Sequence, residues 1–228
     1  YLGKIKSFTI NITNDFYSQR NNSVQAIFET SDESGDKSIG SLNAIKSILW
    51  ASKGVASYNF GNNELEFGYE FTSTDRKDKF TNTNDGLPDA DDHINESTVA
   101  GFLSVNVPVN EVEFYAGIRY ERTISDYYIF SSFVPEQSRK YSRLYPSFDF
   151  SFPIRKANFT LSYTAKTKRP LYSQLSSAIQ YDDRFTYETG NPYLTSEMIH
   201  DISLAGVWKW IFFSMGWQYD KDAIMSVI

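Results

Sequence analysis

At 228 residues, with a formal net charge of −6 and no cysteine, the chain is long enough for one large all-β domain or two small ones. Disulfide frameworks, thiolate zinc sites and cysteine nucleophiles are excluded, and without a basic block there is no electrostatic footprint for a nucleic-acid backbone. No apolar run approaches the roughly 18 residues of a membrane-spanning helix, since the best candidate, 207–217, is broken by Lys209; that test is blind to membrane strands, which expose only alternate residues to lipid.

In chain order, the first sixty residues carry short apolar alternations at Phe8, Ile10 and Ile12, then at Val24, Ala26 and Phe28, and a strand leading to Tyr58. The clearest element is 64–71, where Leu65, Phe67, Tyr69 and Phe71 alternate with Glu64, Glu66, Gly68 and Glu70, a strict period of two. A weaker strand covers 98–107. The period returns over 111–121, with Val112, Phe114, Ala116, Ile118 and Tyr120 on one face and Glu113, Tyr115, Arg119 and Glu121 on the other. After a weaker strand at 141–152, residues 158–168 set Phe159, Leu161, Tyr163 and Ala165 against Thr160, Ser162, Thr164 and Lys166. Segments 202–208 and 213–219 complete the series.

The connections fall into two alternating classes. Segments 59–63, 108–110, 153–157 and 209–211 read as tight turns, three of them built from Gly, Pro and Asn, whereas 72–97, 123–140 and 169–196 read as long polar loops. Short turns on one edge and long loops on the other is the layout of an antiparallel transmembrane β-barrel, with the short turns periplasmic and the long loops extracellular. Aromatics gather at both ends of the strands: Phe60, Phe114, Phe152, Phe159, Trp208, Trp210 and Phe213 near the turns, and Tyr69, Phe71, Tyr120, Tyr145, Tyr163 and Tyr219 toward the loops, as headgroup belts require. Leu65, Phe67, Ile118, Leu161 and Trp217 are therefore expected to face lipid, and Glu66, Arg119 and Thr160 the lumen. A soluble β-sandwich also alternates, but its strands run to about 5–6 residues rather than the ~10 of a tilted membrane strand.

The run Gly117-Ile118-Arg119-Tyr120-Glu121-Arg122-Thr123 resembles the strand before a long loop in a Bacteroidetes family of outer-membrane β-barrel proteins related to TonB-dependent receptors. Tyr145-Pro146-Ser147, Leu161-Ser162-Tyr163, Arg169-Pro170-Leu171-Tyr172, Tyr181-Asp182-Asp183 and Gly190-Asn191-Pro192-Tyr193-Leu194 are similar to that family's pattern in order and spacing, over about half the chain. The resemblance implies a barrel wall in a Gram-negative outer membrane, contacting outer-membrane lipid and taking up a small nutrient (a chelate, glycan or peptide) through the TonB system acting on a plug domain. No plug segment is seen in the chain, which reads as a single partial barrel domain of roughly nine or ten strands, near half of the twenty-two of plugged transporters. The alternatives are an unplugged small barrel acting as a porin, anchor or adhesin, and a soluble sugar-binding sandwich.

Two clusters carry candidate chemistry. In the last long loop, Tyr172, Tyr181, Tyr187 and Tyr193 surround Asp182, Asp183 and Arg184, rings to stack on a ligand and charges to orient it; the competing reading is a loop packed on itself. In the first, Asp85, Asp89 and Asp92 supply oxygen ligands at a spacing that partly resembles a thrombospondin-type calcium repeat. Thr81 and Thr83 stand where that repeat supplies carboxylates, so the expectation is a solvated loop that folds without calcium, with no cofactor. His93 and His200 are the only histidines, too few for a multi-histidine metal centre. His200 and Asp201 are strand neighbours pointing to opposite faces, so no enzyme is expected.

Overall fold

The computed structural model describes residues 2–5, 7–30, 35–83, 86–183 and 185–225. Among these the strands are β1 (Leu2–Ile5), β2 (Phe8–Glu29), β3 (Lys37–Phe60), β4 (Asn63–Asn82), β5 (Ala90–Val109), β6 (Val112–Ile129), β7 (Ser132–Phe133), β8 (Arg139–Ile154), β9 (Ala157–Lys168), β10 (Ile179–Tyr181), β11 (Tyr187–Thr189), β12 (Glu197–Trp208) and β13 (Ile211–Lys221). Ten form one antiparallel sheet in the order β1-β2-β3-β4-β5-β6-β8-β9-β12-β13, β7 pairs with β6, and β10 and β11 make a separate hairpin. Each long strand pairs with its sequence neighbour or across one inserted segment, the meander of a transmembrane barrel wall.

All four tight turns are where the residues predict them. Each leaves two residues between strands, and the first has positive φ: Gly61 at 64°, Asn110 at 56°, Arg155 at 58° and Lys209 at 52°. Primed hairpin turns need that sign at their first central position, because it matches the twist of the flanking strands. Glycine and asparagine supply it readily; Arg155 and Lys209 hold it against their Cβ.

Register sorts the side chains into two faces. Phe67 lies opposite Leu103, and Leu103 opposite Ile118; Leu161 lies opposite Phe150 and Leu204, and Ile202 opposite Trp217. The other face aligns Glu66 with Ser104, Arg119 with Tyr145, and Thr160 with Ser151. All eight residues assigned to a face by alternation are thus on the face expected. On the apolar face Phe114, Phe148, Phe150, Phe152, Phe159 and Phe213 form a continuous belt with centroid separations of 5.0–6.5 Å, beside the tight turns. Tyr145 is an exception among the predicted belt residues: it pairs with Arg119 and is buried on the polar face.

Two of the three long loops turn out to be mostly strand. β4 and β5 stay in register out to the pair Phe80–Ala90, and β6 runs on to Ile129. A tilted strand crosses the bilayer in about 9–11 residues, so strands of 18–24 residues project beyond it. There neither face is set in hydrocarbon, so the apolar alternation stops and pairing goes on without it.

Candidate functional site

The loop 169–196 remains a loop, and it folds down over the polar face of the sheet. Pro170 has no N–H to continue the β9 ladder, and Arg169 turns to donate to the Glu121 carboxylate and to Thr123 Oγ1 at 3.4 Å. A 3-10 turn at Tyr172–Leu175 then presses Leu175, 4% exposed, against Ile94 of β5 and the fully buried Tyr127 of β6. Tyr127 Oη donates to the Leu175 carbonyl at 3.0 Å. Burial, and after it the negative charge of Asp92, pushes the Tyr127 phenol far above its ordinary range, which keeps that donor in place.

Asp92 is the principal anchor. Its Oδ2 accepts from the Ser177 amide at 2.7 Å and from Ser176 Oγ at 3.0 Å, while Oδ1 accepts from Ser177 Oγ at 2.7 Å. The return limb of the loop is equally tight. Asn191 N donates to the Gln174 carbonyl at 2.6 Å, and Arg139 donates to the Pro192 carbonyl. A Cβ on Gly190 would lie 2.6 Å from the Ser176 carbonyl oxygen and 2.7 Å from that of Gln174, so only glycine lets the two limbs approach this closely. At the far side Gln180 Nε2 donates to Gln25 Oε1 of β2 at 3.2 Å, and Lys37 Nζ sits 4.5 Å over the Tyr181 ring.

The loop, the inner faces of β3 and β4, and Ile224 and Met225 border a half-open cavity of about 710 Å³. Amides and hydroxyls of Asn43, Gln174, Gln180, Asn191 and Thr189 line it, with the Tyr187 ring and the charges of Arg76, Asp78 and Glu188. Arg76 Nε holds Asp78 Oδ2 at 2.9 Å while its guanidinium lies 5.2 Å over the Tyr172 ring. Closer to the membrane midplane a line of alternating charge crosses the same face: Lys53 to Glu70 at 2.8 Å, Glu70 to Arg119 at 2.6 Å, Arg119 to Glu121 at 3.0 Å, and Glu121 to Arg169. Ala100 of β5 lies opposite both Glu70 and Glu121, and its small side chain leaves room for Arg119 to reach across. A second cavity of about 260 Å³ opens beside Lys53, Glu70 and Arg119.

The predicted ligand residues are dispersed over this loop. Tyr187 lines the large cavity, Tyr172 packs on Arg76, and Tyr181 is buried, meeting Tyr187 edge-on at 5.5 Å. Asp182 and Asp183 sit at the exposed β10–β11 tip, where Asp183 Oδ1 caps the Phe185 amide at 2.7 Å, and Tyr193 is exposed. Arg184 is outside the described residues, as is Asp85. Of the two remaining calcium candidates, Asp89 Oδ1 accepts from the Asn82 amide at 2.9 Å across the hairpin tip, whereas Asp92 faces the loop. Among the described residues no group of three acidic, histidine or cysteine side chains is arranged to hold a metal ion. His200 bonds the Tyr163 hydroxyl at 3.0 Å on one face, and Asp201 pairs with Lys166 at 2.6 Å on the other. Sequence reasoning missed Arg76, Asp78 and Tyr127, all within stretches read as loop; their period-two spacing with Thr74 and Ser125 was the available signal.

A family model described as "Outer membrane protein beta-barrel family" matches residues 2–228, and no curated protein matches the sequence. Among solved structures, the ferric yersiniabactin uptake receptor FyuA from Yersinia pestis superposes with a TM-score of 0.67 at 9% identity, covering 97% of this chain and 35% of that one. The unliganded ferric citrate transporter FecA gives 0.61 at 10% identity, covering 93% and 32%. The copper transporter OprC gives 0.61 at 9% identity, covering 89% and 36%. At these identities the likeness is one of fold, and the chain spans about a third of the length of each.

Proposed function

Because this chain belongs to the outer-membrane β-barrel family, and so forms barrel wall in a Gram-negative outer membrane, we propose that it is part of a TonB-dependent nutrient receptor. The loop 169–196 captures the ligand on the extracellular side, and the charged lumen wall below passes it inward when a plug domain moves. One observation carries this reading: the loop is built against the lumen wall and borders a half-open cavity of about 710 Å³ with aromatic, amide and charged lining. That size and mixed lining suit a small ligand. The barrels it superposes on are named for ferric yersiniabactin, ferric citrate and copper, which supports uptake of a scarce nutrient. Calcium has no part in this scheme.

The test is accumulation by whole cells expressing the full-length gene, supplied separately with ferric citrate, a copper chelate and a maltooligosaccharide, with and without a protonophore. The expected result is that uptake of one of these stops with the protonophore and falls at least tenfold with Tyr187→Ala. Uptake indifferent to the protonophore would reject the receptor in favour of a passive pore.

A further inference from the structure

On the outer, lipid-side face above the bilayer, the register sets like charges directly opposite one another. Arg20 of β2 lies opposite Lys46 of β3, and Lys46 opposite Lys77 of β4. Directly opposed residues have Cβ atoms about 4.5–5.5 Å apart, and like charges so placed destabilise a sheet. Nearby acids do not resolve the conflict. Asp75 is taken by His93 at 2.8 Å and Asp91 lies opposite Lys79, while Arg20, Lys46 and Lys77, all exposed, make no ion pair among the described residues.

The height of this row says what meets it. Four residues down each strand, Phe16 lies opposite Trp50 and Trp50 opposite Ser73. Trp50 packs edge-on against Phe71 at 5.2 Å, and Phe16 and Trp50 are exposed on the lipid face. Those rings mark the upper edge of the hydrocarbon. Four residues are about 13 Å along a strand, and with a tilt near 45° about 9 Å above that edge, just past the roughly 5–7 Å headgroup layer and within reach of it for a long Lys or Arg side chain.

We infer that Arg20, Lys46 and Lys77 form a docking stripe for the phosphates of the outer-leaflet glycolipid. Clustered Lys and Arg at headgroup height attract anionic lipid, and phosphate offers a charge-assisted partner to each cation. The row spans two strand spacings, about 10 Å, wide enough for more than one phosphate of a single headgroup. The repulsion built into the register is relieved only when the lipid is present, so the stripe couples stability of the upper wall to lipid composition.

The experiment uses the full chain in a neutral detergent, titrated with fluorescent lipopolysaccharide. The native chain is expected to bind at least tenfold more tightly than a variant carrying Arg20→Gln, Lys46→Gln and Lys77→Gln, and tenfold more tightly than it binds phosphatase-treated lipopolysaccharide. Lys156→Gln with Lys209→Gln, at the opposite rim, leaves binding unchanged. In detergent alone the triple variant melts at or above the native temperature, because the repulsion is gone, and lipopolysaccharide raises only the native value. Should the triple variant fail to fold, Lys46→Gln and Lys77→Gln singly are expected to weaken binding two- to threefold each. Equal binding by the native and substituted chains, equal binding of the dephosphorylated glycolipid, or full stabilisation by inorganic phosphate alone would each overturn the assignment.

Discussion

Asp92 shows how one residue acquires a role that composition does not reveal. In the sequence it belongs to an acid-rich run and suggests a cation ligand; in the fold it is 2% exposed and accepts three hydrogen bonds from Ser176 and Ser177. Replacing it with alanine leaves a buried amide and two hydroxyls without their acceptor, a cost of about 2 kcal/mol or roughly thirtyfold in local opening. Hydrogen exchange at residues 173–178 is expected to accelerate by that factor in Asp92→Ala, with the amides of 157–166 unaffected. Equal acceleration in both segments would mean that the substitution loosens the wall rather than releasing the loop.

The β4–β5 hairpin shows where strand periodicity is legible and where it is not. Over 64–71 water lies on one side and lipid on the other, so Leu65 through Phe71 alternate visibly with glutamates. Over 73–79 the sequence Ser73-Thr74-Asp75-Arg76-Lys77-Asp78-Lys79 is polar at every position, although its even members face the loop and its odd members face outside. The period of two continues through Thr74, Arg76 and Asp78, but which set is inside depends on the distant loop, as where Arg76 meets Tyr172, and local pattern does not say. Tyr145, placed inside rather than in a belt, fails for the same reason: a tyrosine suits either face. Asp78 gives this hairpin a pH response. Burial holds its carboxyl above the usual range, against the pull of Arg76 and with the Asp92 charge adding to the rise. The folded hairpin therefore binds this proton more tightly than the unfolded chain does; its contribution is complete below the ordinary carboxylate range and is lost as pH rises through the raised value. Asp78→Asn, neutral throughout, is expected to gain stability relative to the native hairpin as pH rises from the ordinary aspartate range through the raised value, read by hydrogen exchange at 74–80. A difference that shrinks with pH would show that the Arg76 pair dominates.

At the scale of the whole molecule, the strands and most of their faces were legible where they cross the bilayer, because there each successive residue meets either lipid or water, and the four tight turns were legible as the breaks between them. The lumen site was legible only as a list of aromatic and acidic residues in one loop. Its geometry arises from contacts with β2, β4, β5 and β6 that no window of sequence spans. The face assignment has a direct test. Spin labels at Leu65, Phe67, Ile118, Leu161 and Trp217 in membranes are expected to be oxygen-accessible, and those at Glu66, Arg119 and Thr160 to be reached by a water-soluble relaxant. Uniform access by the relaxant would remove the barrel.

The loop that shapes the cavity also has a mechanical consequence. It leaves the wall at β9, returns at β12, and in between is fastened at Asp92 and Tyr127 and reaches Gln25 on β2, almost the opposite margin of the sheet. A segment fixed to an arc at both margins and near its centre is a chord, and a chord of fixed length sets the radius of its arc. Ten strands held only by ladder hydrogen bonds can flatten or curl at small cost, but this sheet cannot flatten without pulling Gln180 away from Gln25. Loop and curvature are thus one degree of freedom: whatever lifts the loop also lets the upper rim of the wall widen.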